Sequence, residues 1–308
     1  MALLIVAPKK DVTEWVEGVR EASRDIDVRV WPASGDPDDI EVALVWNHPE
    51  GSLTQFRNLQ LISSMGAGID HVLKDQQLPK NVPVTRVVGE SLTTNMSNYI
   101  MMAVLQYHKR FLKYLSDKEN KQWNQNHAPE IPVSIGILGL GVLGQDVAKK
   151  LSDLGFNVCG YSNSRKELPG VRSYAGDEEL DEFLSHVNIL VCLLPLTSKT
   201  ENFLNLDLFK KMKKGSYLIN VARGNHLVEE DLLEALRLKM LSGAFLDVFR
   251  KEPLPRNHPF WEHPDIMMTP HIASITNIED AIPLIVENYN RVIKGKPLLN
   301  EVDMKREY

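Results

Sequence analysis

The architecture of this chain follows from one segment, Ile135-Gly136-Ile137-Leu138-Gly139-Leu140-Gly141-Val142-Leu143-Gly144-Gln145. A short apolar run, which predicts a buried strand, leads into the pattern G-x-G-x-x-G, and an amphipathic stretch predicts a helix after it. The first two glycines allow a tight turn and close approach of a pyrophosphate to the backbone, and the third lets the helix pack on the strand. The amino end of the helix stabilises negative charge. The segment therefore predicts a dinucleotide-binding turn formed by Gly139, Leu140, Gly141, Val142, Leu143 and Gly144.

On both sides of this turn, short apolar runs alternate with amphipathic stretches. The runs are Leu3–Val6, Val28–Val30, Val42–Trp46, Leu61–Ser64, Ser134–Leu138, Asn157–Tyr161, Ile189–Leu193, Tyr217–Asn220, Gly243–Val248 and Ile266–Thr269. Uniformly apolar short strands separated by helices predict parallel sheets that are covered on both faces. The predicted fold class is α/β with two doubly wound parallel-sheet domains, one a Rossmann-type cofactor domain and the other a flavodoxin-like substrate domain.

Composition excludes several classes of function. The 308 residues carry a formal net charge of −6, and no basic tract is longer than the Lys210–Lys214 cluster, so we expect no nucleic-acid partner. No apolar run approaches the roughly 18 residues that a membrane span needs. The two cysteines, Cys159 and Cys192, lie inside apolar strand-like runs, which disfavours a disulfide framework and fits a reducing compartment. We therefore expect a cytoplasmic protein with no membrane partner.

We also expect no metal site, because the histidines of the Pro-rich loop at 253–263 have no thiol or third histidine beside them.

The second strand after the glycine turn indicates which dinucleotide is bound. It ends in Gly160-Tyr161-Ser162-Asn163-Ser164-Arg165-Lys166. An NAD site places an acidic residue here to hold the ribose 2′-hydroxyl, yet no acid appears before Glu167. Arg165 can bind a 2′-phosphate bidentately, and Lys166 adds a point charge. A solvated basic turn would explain the two cations but not the missing acid. We therefore expect NADPH or NADP to be preferred over NADH or NAD, with contacts from Ser162, Ser164, Arg165 and Lys166.

Three further strands are followed by isolated polar residues, at the sheet edge where open α/β sheets bind their ligands. Arg223 comes shortly after the run that ends at Asn220, and Glu252 follows the run that ends at Val248. His271 follows the last run. Each residue alone could be an ordinary surface or core residue. Together they are candidates for the chemistry of a site at that edge.

Together these motifs resemble the D-2-hydroxyacid dehydrogenase family, most closely its glyoxylate/hydroxypyruvate reductase A branch. The resemblance covers essentially the whole chain and rests on Ala43–Trp46, Ser64–Asp70, the glycine turn, Leu193–Thr197, Asn220–Gly224, Leu246–Pro255 and Pro270–Ser274. The chain departs from the NAD-using relatives by lacking the strand-end acid, and its Ser-Asn-Ser-Arg-Lys loop is similar to that of the NADPH-preferring members. The resemblance implies hydride transfer that reduces small 2-oxo acids, glyoxylate and hydroxypyruvate first, to 2-hydroxy acids.

The resemblance also implies roles for the three polar residues. His271 would donate a proton to the carbonyl oxygen during reduction and accept it in reverse. A neighbouring Glu252 carboxylate favours the imidazolium form. Arg223 would polarise the carbonyl and pair with the substrate carboxylate.

The remaining ligand contacts come from the same resemblance. The substrate would meet Arg223 and His271 together with Trp46, Met65, Gly66, Ala67 and Gly68. The turn at 65–68 offers successive backbone N–H groups, as a carboxylate-binding nest does, although an ordinary glycine turn has the same sequence pattern. The resemblance implies that the amides of Ala67 and Gly68 help to bind the substrate carboxylate. The cofactor cleft would be lined by Leu194, Pro195, Val221 and Ala222, with Asp247 near the nicotinamide carboxamide.

The family pattern places a substrate domain at 1–98 and 274–308 and a dinucleotide-binding domain at 99–273, in a homodimer. The long apolar helix predicted over Asn95–Leu115 could cross between the domains, form the dimer interface, or do both. Two alternatives for function remain. One is a dehydrogenase for a bulkier 2-oxo acid such as phenylpyruvate. The other is a non-catalytic dinucleotide-sensing protein, against which Arg223, Glu252 and His271 argue.

Overall fold

A computed structural model describes residues 2–125 and 130–305 of the chain. It divides into two compact units, Met1–Leu92 with Ile275–Tyr308 and Thr93–Ser274. Residue 1 and residues 306–308, which the sequence assigns to the ends of the substrate domain, lie outside the described residues. Among the described residues, no helix is both long enough and apolar enough to span a membrane.

The first unit is built on a five-stranded parallel sheet. Its elements begin with β1 (Ala2–Val6), α1 (Thr13–Ala22), β2 (Asp27–Val30), β3 (Ile40–Val45), β4 (Leu61–Ser64), α2 (Asp70–Leu73) and β5 (Val84–Thr85). The strand order is β2-β1-β3-β4-β5, the flavodoxin-like order in which the chain changes direction between β1 and β3. Both faces of the central strands are covered, since every residue of β1 is fully buried. The flavodoxin-like prediction is confirmed.

The second unit contains a seven-stranded parallel sheet. Its elements are α3 (Glu90–His108), α4 (Phe111–Glu119), β6 (Ser134–Leu138), α5 (Val142–Asp153), β7 (Asn157–Ser162), β8 (Val171–Ala175), α6 (Asp177–His186), β9 (Ile189–Cys192), α7 (Leu206–Lys211), β10 (Ser216–Asn220), α8 (Glu229–Arg237), β11 (Leu241–Leu246) and β12 (Ile266–Met268). The order β12-β11-β10-β9-β6-β7-β8 reverses direction between β6 and β9, which makes the glycine turn after β6 the topological switch point.

The local predictions were wrong for one helix and two strands. The single helix predicted over Asn95–Leu115 is broken, because Arg110 adopts a left-handed conformation with φ 55° between α3 and α4. Neither glycine nor proline marks that position, so the sequence carries no signal for the break. Strands β5 and β8, at the edges of the two sheets, were not predicted. β5 has only two residues, and β8 contains the exposed Arg172 and the polar Ser173 in place of a uniformly apolar run.

The boundary between the units lies inside a helix. The sequence placed it at 98/99, but the units divide at 92/93, within α3, and again at 274/275 rather than 273/274. A continuous helix has no punctuation at which a boundary could be recognised. After the second division the chain returns to the first unit, where α9 (Ile278–Ile293) packs on α1. An added Cβ on Gly18 of α1 would lie 3.0 Å from Ile282 of α9, so the two helices are in close contact.

Candidate active site

The glycine turn joins β6 to α5 and has the shape of a phosphate cradle. Gly139 has a φ of +100°, and an added Cβ would lie 2.7 Å from the carbonyl oxygen of Leu193, so only glycine fits there. An added Cβ on Gly144 would lie 1.8 Å from the carbonyl oxygen of Gly139, which shows that α5 starts directly against the turn. Nothing lies within 4 Å of an added Cβ on Gly141. The first N–H groups of α5, which have no acceptor within the helix, project from this open end.

The loop after β7 carries the predicted 2′-phosphate contacts in a hydrogen-bonded corner. Arg165 donates from Nη1 to the carbonyl oxygen of Ser173 at 2.7 Å and from Nη2 to the carboxylate of Glu179. The other oxygen of Glu179 accepts the N–H of Ala175 at 2.7 Å, while Lys166 donates its N–H to the hydroxyl of Ser173 at 2.9 Å. The Arg165 side chain remains 60% exposed. A guanidinium has five N–H donors, so Arg165 keeps donors for a further anion.

Arg223 follows β10 in a loop that two fully buried polar residues, Asn220 and His226, hold in place. Asn220 donates from Nδ2 to the carbonyl oxygen of Arg223 at 3.1 Å, and the N–H of Arg223 donates to Nδ1 of His226 at 3.2 Å. Nε2 of His226 lies 3.2 Å from the carbonyl oxygen of Pro195, which can only accept, so a neutral imidazole carries its proton on Nε2 and accepts the Arg223 N–H on Nδ1. The backbone of Arg223 is therefore anchored to two neighbouring segments.

The loops that carry Arg223 and Glu252 touch at Gly224. An added Cβ on Gly224 would lie 1.9 Å from the carbonyl carbon of Phe249, a separation that no other residue would tolerate without moving the backbone. The N–H of Phe249 in turn donates to Oε1 of Glu252 at 3.0 Å. This backbone approach is what brings residues after β10 next to residues after β11.

His271 adopts a left-handed conformation with φ +56°, which is uncommon for a residue other than glycine. Its N–H donates to the carbonyl oxygen of Asp247 at 2.8 Å. The fully buried carboxylate of Asp247 accepts the N–H groups of Ile272 and Ala273 at 2.9 and 2.7 Å and the hydroxyl of Thr269 at 2.6 Å. Such an outlier persists where the surroundings over-determine it, and here Asp247 does so.

The imidazole of His271 is paired with Glu252, whose Oε2 lies 2.8 Å from Nδ1. Burial would raise the pKa of Glu252, but the hydrogen bonds from His271 and from the Phe249 N–H, with the charges of His271 and Arg223, hold that pKa below its usual range. Glu252 is therefore ionised at neutral pH and accepts the Nδ1 proton. The opposite ring atom, Nε2, has no hydrogen-bond partner in the part of the chain that the structure describes, and the His271 side chain is 45% exposed. Nε2 can exchange a proton with an external molecule.

Arg223, Glu252 and His271 come from the carboxyl ends of β10, β11 and β12, which are neighbours in the sheet. The structure thus brings the three predicted catalytic residues to one edge. The charge of Arg223 reaches Glu252, which in turn binds His271. A cation beside an imidazole with one open nitrogen suits a substrate with a carboxylate next to a carbonyl group.

In the first unit, the turn at residues 65–68 after β4 has two backbone N–H groups that donate hydrogen bonds and two that are open, with no acceptor among the described residues. The N–H of Met65 donates to a carbonyl oxygen of β3 at 3.1 Å, and the N–H of Gly66 to the hydroxyl of Ser64 at 3.3 Å. The N–H groups of Ala67 and Gly68 have no acceptor within residues 2–125 and 130–305, and both residues are partly exposed. These are the two amides that the resemblance assigns to the substrate carboxylate, and that role stays a prediction.

Trp46 follows β3 and lies against this turn. An added Cβ on Gly66 would lie 2.9 Å from Cζ3 of the Trp46 indole, so a glycine is needed for the ring to lie there. The centroid of the indole is 4.6 Å from that of the His71 imidazole. Nζ of Lys10 lies 5.5 Å from the indole centroid and makes a cation–π contact with it. These contacts hold the indole of Trp46 beside the turn that carries the open amides of Ala67 and Gly68.

Comparison with known proteins identifies the family. A family model described as D-isomer specific 2-hydroxyacid dehydrogenase, NAD binding domain, matches residues 101–273. The chain belongs to the D-isomer specific 2-hydroxyacid dehydrogenases. Among curated members, glyoxylate/hydroxypyruvate reductase A of Escherichia fergusonii is 40% identical over 100% of both chains.

Two solved dehydrogenase structures match the whole fold. The D-isomer specific 2-hydroxyacid dehydrogenase from Xanthobacter autotrophicus Py2, in complex with NADPH and MES, has a TM-score of 0.95 and 36% identity, covering 100% of this chain and 99% of its own. The NADPH-dependent glyoxylate/hydroxypyruvate reductase from Sinorhizobium meliloti, in complex with NADP and sulfate, has a TM-score of 0.92 and 35% identity at the same coverage. The resemblance inferred from the motifs is confirmed.

In this dehydrogenase the other predicted cofactor contacts lie along the carboxyl edge of the second sheet. Ser162 ends β7 and donates its hydroxyl to the carbonyl oxygen of Ser164 at 2.8 Å. Most of the apolar residues predicted to contact the cofactor are partly or fully buried: Leu140, Leu143, Leu194, Pro195, Val221 and Ala222. Val142 is exposed. The carboxylate of Asp247 is fully buried and accepts hydrogen bonds on both oxygens, so it holds the His271 loop. Its contact with the nicotinamide stays a prediction.

Sequence reasoning missed the residues that support the dehydrogenase site from behind. His226 fixes the Arg223 loop, and the hydroxyl of Tyr99 on α3 pairs with that of Thr269 beside Asp247. In the first unit, Ser64 and His71 share a hydrogen bond under the Ala67 turn. The sequence could have pointed to Ser64 only as a polar residue in an otherwise apolar run. Its role becomes visible from its hydrogen-bond partners, such as His71, which the sequence does not identify.

Proposed function

We propose that this chain is an NADPH-dependent reductase of small 2-oxo acids, with glyoxylate and hydroxypyruvate as leading substrates. The observation that carries the proposal is the Glu252–His271 pair, 2.8 Å apart, whose open Nε2 lies at the same sheet edge as Arg223. The substrate class is supported by the full-length relative named glyoxylate/hydroxypyruvate reductase A.

The chemistry asks each of the three residues for a different task. The bound reduced nicotinamide would supply the hydride. Protonated His271 donates the Nε2 proton to the carbonyl oxygen as negative charge grows there, and takes it back in the oxidative direction. Glu252 stabilises the imidazolium and keeps the ring oriented through Nδ1. Arg223 pairs with the substrate carboxylate and polarises the carbonyl group.

For the cofactor, we assign the pyrophosphate to the glycine turn, where a Cβ at either Gly139 or Gly144 would collide with backbone. We assign the 2′-phosphate to Arg165 and Lys166. Two observations support NADPH over NADH: the exposed, donor-rich guanidinium of Arg165, and the placement of the nearby Glu179 carboxylate in an ion pair with that same guanidinium. The relatives from Xanthobacter and Sinorhizobium are complexes with NADPH and NADP.

For the substrate, we propose that Arg223 and the amides of Ala67 and Gly68 are carboxylate-binding groups, and that Trp46 limits the size of the acid. The first unit then acts as the substrate domain and the second as the dinucleotide-binding domain. Ser162, Ser164, Leu194, Pro195, Val221, Ala222 and Asp247 remain predicted cofactor contacts.

We also propose a cytoplasmic homodimer. Both cysteines are buried free thiols, which fits a reducing compartment. Exposed apolar side chains recur on α3 and α4, at Met102, Leu105, Phe111 and Leu115, and an apolar surface of this kind is typical of an interface between subunits. Light scattering on the purified chain tests the dimer, and a monomeric mass would overturn it.

The decisive experiment measures loss of NADPH absorbance with a panel of 2-oxo acids. We expect the highest kcat/KM with glyoxylate or hydroxypyruvate. A higher value with phenylpyruvate would assign the chain to a bulkier acid. Tight NADPH binding without oxidation on any acid would replace the enzyme by a dinucleotide sensor.

A further inference from the structure

We propose that Ser64 and His71 are positioning residues for the open amides of Ala67 and Gly68, and through those amides for the substrate carboxylate. The inference rests on the proposed function, in which these two amides bind that carboxylate. Neither side chain reaches the surface, since Ser64 is fully buried and His71 is 6% exposed. They act from beneath the turn.

The hydroxyl of Ser64 connects the turn to His71 through three hydrogen bonds, and we call it the hub. It donates to the carbonyl oxygen of Gly68 at 2.9 Å and accepts the N–H of Gly66 at 3.3 Å. The third contact is Nε2 of His71, 3.0 Å away. A hydroxyl has one donor and two acceptor positions, so all three positions of this one are used.

The direction of each hydrogen bond follows from one backbone group. The N–H of Asn47 donates to Nδ1 of His71 at 3.2 Å, so Nδ1 carries a lone pair. The neutral ring then has its proton on Nε2 and donates it to Ser64. Ser64 must therefore use its own proton for the carbonyl oxygen of Gly68. One continuous chain of donors runs from the end of β3 to the turn after β4.

This chain fixes both ends of the anion-binding segment. The Gly66 N–H lies before the two open amides and the Gly68 carbonyl lies after them, and both are bound by the same oxygen atom. Because neither flanking peptide group can rotate freely, the amides of Ala67 and Gly68 are held in one orientation before substrate arrives. Preorganisation of this kind lowers the entropic cost of binding.

His71 also sets the position of Trp46 relative to the turn. Its ring lies 4.6 Å from the indole between centroids, and it binds the backbone of the very next residue, Asn47. The loop that follows Asn47 is held by a different residue, because Asp75 accepts the N–H of Gly51 at 3.1 Å and contacts Nε2 of His48 at 3.1 Å. The distance between the indole and the open amides, which limits the size of the acid, is therefore controlled by the His71–Ser64 pair.

The test compares Ser64→Ala with Ser63→Ala. Both remove a buried hydroxyl from β4, but successive side chains of a strand point to opposite faces, so only the first removes the hub. We expect Ser64→Ala to raise KM for the 2-oxo acid by roughly tenfold, the effect of losing about one buried hydrogen bond. We expect kcat to change much less, KM for NADPH to stay the same, and Ser63→Ala to resemble the unsubstituted enzyme. Ser64→Thr restores the hydroxyl and should recover a lower KM than Ser64→Ala.

A second variant addresses the histidine. In His71→Gln the amide can donate to Ser64 in place of Nε2 but cannot at the same time accept the Asn47 N–H, so we expect KM for the 2-oxo acid to rise while NADPH binding is retained. An unchanged KM for the acid in both Ser64→Ala and His71→Gln would overturn the inference and leave the proposed function standing. A fall in kcat at constant KM would also overturn it. Failure of the unsubstituted chain to reduce any 2-oxo acid would instead remove the proposed function, and the inference with it.

Discussion

Nδ1 of His271 lies 2.8 Å from a carboxylate oxygen of Glu252, and the backbone of that histidine is held in a left-handed conformation by Asp247. The side chain and the main chain of one residue are thus controlled by two different acids. The first acid is partly exposed and the second is fully buried. The first orients the imidazole through Nδ1, while the second holds the backbone that carries the imidazole.

Replacing His271 by Gln should nearly abolish reduction. Glutamine cannot carry the proton from Nε2, and loss of general acid catalysis costs on the order of 10²–10⁴ in kcat. NADPH affinity, measured by fluorescence titration, should stay close to that of the unsubstituted enzyme. His186→Gln, a change at an exposed histidine of α6, is the matched control. An equally active His271→Gln enzyme would remove this residue from the mechanism.

The acid Glu252 should contribute stability that depends on pH. Its pKa in the folded protein lies below the ordinary value of 4.5, so its contribution is present above that value and is lost as the pH falls through the lowered pKa. The Glu252 side chain is 36% exposed, and solvent screening limits the effect to about 1 kcal/mol or less.

The measurement is urea unfolding of the unsubstituted chain and of Glu252→Gln at neutral pH and at an acidic pH below the ordinary value. We expect the difference in unfolding free energy between the two proteins to shrink on acidification. A difference that grows as the pH falls would contradict the direction of the pKa shift.

The cofactor preference should depend on the loop after β7. Changing Arg165 and Lys166 together to Ala removes the cations assigned to the 2′-phosphate, and charge-assisted hydrogen bonds of this kind change affinity by roughly 10- to 100-fold. We expect KM for NADPH to rise by that factor and KM for NADH to stay nearly constant. Arg172→Ala, which removes a neighbouring cation paired with Glu182, should have little effect on either. Equal weakening of both cofactors would show that the loop does not distinguish them.

Asp247→Asn distinguishes two roles for a single buried residue. The amide group cannot accept the N–H groups of both Ile272 and Ala273 as the carboxylate does, so the His271 loop loses a hydrogen bond worth about 1–3 kcal/mol. If Asp247 holds that loop, kcat and Tm should fall while KM for NADPH is unchanged. A rise in KM for NADPH with kcat preserved would instead support direct contact with the nicotinamide.

Much of the fold was readable because its signals are local. Parallel strands covered on both faces are short apolar runs, and a phosphate turn needs glycine where the backbone is crowded, as Gly139 and Gly144 show. The break at Arg110 was not predictable, because its left-handed residue is neither glycine nor asparagine. The edge strand β8 contains the exposed Arg172 and the polar Ser173, so it lacks the continuous apolar run that marked the others.

The candidate site divides in the same way. By itself the sequence determined that Arg223, Glu252 and His271 each follow a predicted strand, since chain order and strand periodicity are properties of neighbouring residues. Only the tertiary structure decided that these three strands are neighbours in one sheet, that Asp247 is buried beneath His271, and that Ser64 meets His71. Those relationships depend on hydrogen bonds between segments far apart along the chain, and a donor's partner is chosen by where the folded backbone places the acceptor.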